Sequence, residues 1–360
     1  MKIARIDTAL ASIPLARPVI TPIHHIDAID NVLVTVVSDA GIAGIAYLWC
    51  FGKDKARALA ALVRDLGRVV IGADPRQTGA LWTRMWNEAN FLGRAGATMF
   101  AQSALDTAIW DIKARAAGEP LWRMLGGSPT PIPAYANGLF LSDPLDAVIA
   151  EARAYVTAGF RGVKMRTGSR QAHSDIERVE AIREAIGPHT ALMIDVVQGW
   201  SAEHAIRVGR EIARFDITWI EDPVAFDDHR AMAQVAAALD IPLCAGENDY
   251  GCKGFARLID GACIDIAMAD LQRAGGVTEW LRIAALAQTR GLPITSHVFH
   301  EVSLHLMATL ARPYWMEHMG WWEGLFNEPV RLTDGCLVPP ERPGIGMTFN
   351  WDRIETLRFT

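Results

Sequence analysis

Cysteine is scarce and unpaired in this chain: the five residues Cys50, Cys244, Cys252, Cys263 and Cys336 are odd in number, widely spread, and form no CxxC motif. A disulfide framework and a zinc ribbon are thereby disfavoured, and reduced, mostly buried thiols are expected. Positive charge is not in excess either, since 35 Lys and Arg stand against 41 Asp and Glu for a formal net charge of −6. With no basic cluster to replace it, the electrostatic footprint of a nucleic-acid binder is missing. No apolar run approaches the roughly 18 residues that a membrane helix needs. The opening MKIARIDTALASIPLARP lacks a signal-peptide core and cleavage site, so a cytoplasmic protein with no membrane partner is expected. No strand candidate is followed by GxGxxG or GxxxxGK[ST], which removes the usual phosphate-cradling turns.

What is present is a chain of 360 residues, 51% hydrophobic and 21% charged, a composition that can bury a sizeable core. The length exceeds one ordinary domain but suits an α/β barrel of about 200–250 residues with a smaller companion. Residues 2–10 and 31–38 read as strands, and DAG at 39–41 supplies a turn before IAGIAYLW. From about 53 the apolar period becomes helical, through KARALAALVRDLGRVV, PRQTGALWTRMWNEA and ATMFAQSALDTAIWDIKARAAG, the last ending at Gly118. An α+β unit is expected over residues 1–125.

Beyond it, strand-like and helix-like segments alternate. The strand candidates are 132–138, 161–167, 190–197, 216–223, 241–248, 262–270, 292–298 and 314–319, eight in all, with amphipathic helical stretches between most of them. Eight parallel strands joined by helices make a closed α/β barrel over residues 126–320; a doubly wound open sheet is the alternative.

Carboxylates recur at the strand ends. Asp195, Glu221 and Glu247 close consecutive strands at equal intervals of 26 residues, about one βα unit, and so stand at similar height at the barrel's mouth. Three converging anions repel unless a cation joins them, and an all-oxygen set suits Mg²⁺ better than zinc. Asp270 and His297 follow 27 residues apart, a carboxylate beside an imidazole, which is the make-up of a general acid/base. Glu317 is the acid of the last strand. In GVKMRTG, Lys164 and Arg166 stand two apart and share one face of the second strand. His300 and His305 lie in helix-like surroundings and read as packing or surface residues. Cations, metal-binding anions and an Asp/His pair around one mouth suit removal of a proton from the carbon beside a carboxylate, a reaction whose developing charge needs a metal and an ammonium.

In combination, VKMR, MIDVVQ, WIEDP, AGEN, MADLQRAGGVTEW, ITSHVFHEVSLHL and WME resemble the enolase superfamily, specifically its mandelate racemase subgroup. The resemblance covers essentially the whole chain. It implies a capping domain, a modified (β/α)7β barrel, and a C-terminal segment, 321–360, returning to the cap. It implies Mg²⁺ ligation by Asp195, Glu221 and Glu247, an Asp270–His297 acid/base pair, Lys164 against the substrate carboxylate, and Glu317 hydrogen-bonded to that carboxylate opposite the metal. A specificity loop is expected at about 16–30, with His24 and His25 as candidate substrate contacts, and the family forms homo-oligomers, commonly octamers. Two departures are evident: Arg166 stands where the family usually keeps a second lysine base, and Val197 where mandelate racemase has a substrate-contacting Asn. Arginine holds its proton too firmly to act as a base. The expected reaction is therefore one-base dehydration of an acid sugar, an aldonate or aldarate, to a 2-keto-3-deoxy acid. A 2-hydroxyacid racemase or epimerase, a lactone cycloisomerase, and a barrel that has lost catalysis and serves as a binding protein are the alternatives.

Overall fold

The computed structural model describes residues 1–21, 23–169 and 171–360. Strands β1 (Ile3–Ile20), β2 (His25–Ser38) and β3 (Ala43–Cys50) form an antiparallel sheet in that order. Helices α1 (Lys53–Gly67) and α3 (Ala97–Ala117) pack on it, α2 (Thr78–Glu88) packs against α3, and α4 (Leu121–Met124) leads out. Gly118 ends α3 in the left-handed conformation that a residue without a Cβ adopts at no steric cost.

The first two strands run much further than sequence pattern suggested. Most of the expected loop at 16–30 is a continued hairpin: pairing reaches Pro14↔Ala28, is interrupted by a bulge, and resumes at Val19↔Ile26. Prolines 14 and 18 disguise the strand in the sequence, but β1 is an edge strand and tolerates residues that donate nothing to a ladder. Burial of Val19, Ile26 and Ile29 holds the extension down. Position 22, at the hairpin tip, lies outside the described residues.

The eight barrel strands fall where sequence placed them: β4 (Ile132–Asn137), β5 (Gly162–Arg166), β6 (Ala191–Asp195), β7 (Ile217–Glu221), β8 (Leu243–Ala245), β9 (Ile266–Asp270), β10 (Ile294–His297) and β11 (Met316–His318). All neighbours from β4 to β10 pair in parallel, and β11 pairs with β4. The ring closes between β10 and β11 through side chains, Thr295 Oγ1 donating to the Trp315 carbonyl (2.7 Å) and the Glu317 N–H to Ser296 Oγ (2.9 Å). Outside lie α5 (Leu145–Thr157), α6 (Ala172–Ile186), α7 (Ala202–Ile212), α8 (His229–Ala238), α9 (Gly251–Asp260), the short α10 (Leu271–Ala274) with α11 (Val277–Thr289), and α12 (His300–Met307). Helix α7 shows why these segments become helices: Ser201 caps its start by accepting from the His204 N–H, and Ala205, Val208, Gly209 and Ile212 make one buried stripe. Burying a side chain such as Val208 or Ile212 contributes roughly 1.5–3 kcal/mol.

The chain is thus a modified (β/α)7β barrel with an N-terminal α+β cap. After β11 it returns: β12 (Leu332–Thr333) and β13 (Cys336–Leu337) add to β4, α13 (Trp351–Leu357) follows, and Arg358 bridges to Ala11 of β1. The cap is fixed to the barrel by buried polar bonds, among them Ser103 Oγ to the Leu271 carbonyl (2.8 Å), Thr278 Oγ1 to Asp106 (2.7 Å) and Trp322 Nε1 to Asn31 (2.8 Å). All five cysteines are free, and Cys244, Cys263 and Cys336 are buried. His300 and His305 are both fully buried, so the surface half of their expected role is corrected. The reason is that α12 has no solvent face: every one of its residues is enclosed. No helix among the described residues is long and apolar enough to cross a membrane.

Candidate active site

Inside the barrel, Tyr135, Met193, Trp219, Cys244 and Met268 interlock as a packed apolar layer. Strand side chains alternate with a period of two, so the next inward positions are two residues further on. Those are Asn137, Asp195, Glu221, Gly246 and Asp270. One periodicity thus lays a polar layer directly over an apolar floor. Gly246 has a φ of 124°, and a Cβ there would lie 2.6 Å from Phe255 and 2.9 Å from the Met268 carbonyl, so only glycine lets the chain turn to bring in Glu247.

Asp195, Glu221 and Glu247 each offer an oxygen, and these atoms lie within 4.8 Å of one another. The donor set is all carboxylate and largely enclosed, which fits a hard divalent cation. Asn248 braces the group from behind, its Nδ2 donating to Asp222 (2.8 Å) and Glu247 (3.3 Å). Burial, with Glu247 and Glu221 alongside, drives the Asp222 carboxyl well above the ordinary range.

Lys164 is fully buried, with Nζ 2.6 Å from Glu221 and 2.8 Å from Glu317. Burial opposes its charge, but these two carboxylates outweigh it and its pKa is raised. Arg166 is in direct contact with Asp195, its neighbour across the β5–β6 ladder. Glu317 accepts from Lys164, from Asn137 Nδ2 and from the Val298 N–H, the last two at 2.5 Å. Burial raises its pKa, but Lys164, His297 and the Val298 N–H together bring it below the usual value. It is therefore an engaged acceptor here, and its expected hydrogen bond to a substrate carboxylate needs a proton that the carboxyl does not hold in this state.

On the other side, His297 Nδ1 lies 2.8 Å from Asp270 and Nε2 lies 3.0 Å from Glu247. Burial disfavours the imidazolium, yet Glu247 and the bond to Asp270 prevail and lift the pKa to about 10. A cation neutralising Glu247 removes the largest raising influence and brings the imidazole back toward its ordinary range.

Backbone strain collects at these strand ends. Val197 (φ 51°), Asp222 (φ 40°) and Val298 (φ 38°) are non-glycine residues in the left-handed region, each costing about 1–3 kcal/mol. Two of the three have a visible reason: the Val197 N–H donates to Asp195 (2.8 Å) and the Val298 N–H to Glu317.

A cavity of about 720 Å³, open to solvent, lies between this layer and the cap. Arg166, Asp195, Glu247 and His297 line it, whereas Lys164, Glu221, Asp270 and Glu317 lie behind that surface. His24 reaches the cavity, but His25 does not: it faces solvent beside Asp27. His24 precedes β2, and Ile26, two residues on, lines the cavity with it, whereas His25 between them faces outward. Residues that sequence reasoning passed over also line it, notably Asn137, Asn248, Arg273, Trp49, Phe51 and Trp321. The strand-end logic applied to IPAYANG would have found Asn137; the aromatic residues carry no local signal.

Residues 5–126 match the family described as "Mandelate racemase / muconate lactonizing enzyme, N-terminal domain", and residues 147–353 the family "Enolase C-terminal domain-like". Among similar proteins is a 3,6-anhydro-alpha-L-galactonate cycloisomerase of Streptomyces coelicolor, 32% identical over 99% of each chain. Another is the L-talarate/galactarate dehydratase of Salmonella typhimurium, 33% identical over 97% of this chain and 89% of the relative. A solved structure of L-talarate dehydratase from Polaromonas sp. JS666, complexed with Mg and L-glucarate, superposes with a TM-score of 0.94 at 30% identity, covering 100% of this chain and 98% of the other.

Proposed function

Because this chain belongs to the mandelate racemase/muconate lactonizing enzyme family of the enolase superfamily, we propose that it is a Mg²⁺-dependent enzyme that removes the proton α to a carboxylate and dehydrates an acid sugar, an aldonate or aldarate, to a 2-keto-3-deoxy acid. Asp195, Glu221 and Glu247 would hold the ion, which when bound supplies positive charge beside the substrate carboxylate.

The residues of the chain divide the remaining work. Lys164, held as an ammonium by Glu221 and Glu317, stabilises negative charge that develops on the substrate carboxylate. Arg166 offers a guanidinium fork to a carboxylate or hydroxyl oxygen. Glu317 positions Lys164 and acts as a donor only after the incoming anion has raised its proton affinity. His297, oriented by Asp270, takes the α-proton at Nε2. The same imidazolium then returns a proton to the β-oxygen as the Cβ–O bond breaks, water leaves, and the resulting enol becomes the 2-keto acid.

The observation that carries this reading is the asymmetry of the site. His297 stands on one side, while on the other Lys164 is pinned between two carboxylates and its neighbour in contact with Asp195 is an arginine, a side chain that makes a poor general base. Racemisation needs a base on each side; elimination needs one. Incubation of the Mg²⁺-loaded protein with a library of acid sugars in D₂O tests this: a 2-keto-3-deoxy product is expected, and α-deuterium in an epimer of the substrate would instead indicate two bases. Cycloisomerisation is the second reading, favoured by the likeness to the anhydrogalactonate cycloisomerase over 99% of both chains. It begins with the same proton removal, and a product of the same formula as its substrate but different connectivity would identify it. The same reading takes the protein as a cytoplasmic homo-oligomer, of octameric order by family resemblance, which light scattering of the purified protein tests.

A further inference from the structure

The bulge in the β1–β2 hairpin inserts more than one residue. Pairing passes from Pro14↔Ala28 to Val19↔Ile26, so residues 15–18 stand against Asp27 alone and bow out as an arch. Beneath the arch lies a hollow of about 770 Å³, open to solvent, between it, α5 and the turn after β11. Ile13 and Leu15 border it and are only partly buried. Val19, Asn137, Phe140, Met319 and Trp321 line both the hollow and the active-site cavity, so one layer of side chains separates the two.

Arg17, in the arch, reaches across to the barrel. Its Nη2 lies 2.6 Å from Glu151 on α5 and 3.0 Å from Asp143, in the connection between β4 and α5. Both partners are held in place. The Tyr155 hydroxyl donates to Glu151 (2.7 Å), and Arg178 on α6 donates to the carbonyls of Phe140 (3.1 Å) and Asp143 (3.3 Å). Burial raises the Asp143 pKa, Arg17 opposes that rise, and Glu151 adds to it. Without the guanidinium, two carboxylates would face each other, one of them buried. A partly exposed ion pair alone is worth little, whereas a cation shared by two fixed anions ties its own segment to both. Two residues on, Val19 lines the cavity and pairs with Ile26, which lines it too, and His24 stands two residues before Ile26. What fixes Arg17 therefore fixes this part of the cavity's cap side.

We propose that Arg17 is a positioning residue of the active site: paired with Asp143 and Glu151, it holds Val19, Ile26 and His24 over the cavity and so sets how tightly substrate is bound. It touches no reacting atom and acts through the hairpin. The inference rests on the reading of this cavity as the place of proton abstraction. A hairpin released from its anchor is in the binding-competent arrangement for a smaller fraction of the time, and the apparent affinity falls by that fraction, while a bound substrate meets the same Lys164 and His297.

The test pairs steady-state kinetics of the Mg²⁺-loaded enzyme, on the acid sugar it turns over with the highest kcat/KM, with amide hydrogen exchange of the substrate-free protein. Arg17→Ala is expected to raise KM about three- to tenfold with kcat within about twofold. It is also expected to speed amide exchange across residues 15–21 and 24–29 by a similar factor, while β6 and β7 exchange as before. Arg17→Lys, which keeps the charge without the fork, is expected to fall between Arg17→Ala and the unsubstituted protein on both readouts. An unchanged KM, a kcat that falls as far as kcat/KM, or a raised KM without faster exchange in the hairpin overturns the positioning role while leaving proton abstraction standing. If the unsubstituted enzyme exchanges the α-proton of no acid sugar, proton abstraction falls and this inference with it.

Discussion

Asp270 Oδ2 lies 2.8 Å from His297 Nδ1, while its other oxygen accepts the Arg273 N–H at 2.7 Å and so caps α10. One carboxylate thus fixes both a helix start and an imidazole. The bond settles which ring nitrogen faces the cavity, and Nε2 is left for chemistry.

Removing the imidazole should abolish activity without unfolding the protein. His297→Asn is expected to lower 2-keto acid formation and α-proton exchange by 10²–10⁴-fold, the usual worth of a positioned acid/base. Asp270→Asn should cost less and shift the pH–rate profile, since it changes tautomer and basicity rather than deleting the group. Unchanged exchange in the His297 variant would assign the base elsewhere.

Chelation should silence the enzyme, and Mg²⁺ should restore it. At 100 times its dissociation constant a ligand stabilises the folded state by about 2.7 kcal/mol, so Mg²⁺ should raise the melting temperature. Asp195→Asn or Glu247→Gln should erase that rise. A Mg²⁺-dependent shift surviving in both would place the ion at other residues.

The hairpin tip should divide its two histidines. His24→Ala is expected to raise KM severalfold, because His24 lines the cavity, whereas His25→Ala should leave KM and kcat within about twofold, because surface substitutions are usually near neutral. Equal effects in steady-state kinetics would contradict the placement of His24 at the cavity and His25 at the surface.

Glu301 should make stability pH-dependent. It is fully buried with its carboxyl pushed up to about 7 by burial, and it accepts the Tyr47 hydroxyl at 2.8 Å. A folded-state value above the ordinary 4.5 means that the folded protein binds the proton more tightly, so stability is greatest below pH 4.5 and declines as pH rises to about 7. Across that interval Glu301→Gln should gain roughly 3 kcal/mol relative to the unsubstituted protein. Urea unfolding at pH 4.5 and pH 8 measures it; a constant difference would refute the assignment.

Much of this molecule was legible along the chain because its signals are local. Asp195 and Glu221 each close an apolar strand, Glu247 follows the end of the next by two residues, and their equal spacing is the length of one βα unit. The hairpin of β1 and β2 was hidden because two prolines and a bulge interrupt a pattern that distant packing restores. Asp222 carries no sign in IEDP of how its environment raises its pKa, since the charges responsible come from neighbouring strand ends.

By itself, the sequence determined the eight strands, the order of the three carboxylates around the barrel, the Asp270–His297 partnership and the presence of an arginine, Arg166, on the same strand face as Lys164. All are set by residue identity and short-range periodicity. Tertiary structure alone decided that Lys164 is clamped between Glu221 and Glu317, that Glu317 is an acceptor, that only one histidine of the tip reaches the cavity, and that Trp49, Phe51 and Trp321 wall it. These depend on how segments tens to hundreds of residues apart meet when the cap closes over the barrel, and charge, burial and contact there are properties of that meeting.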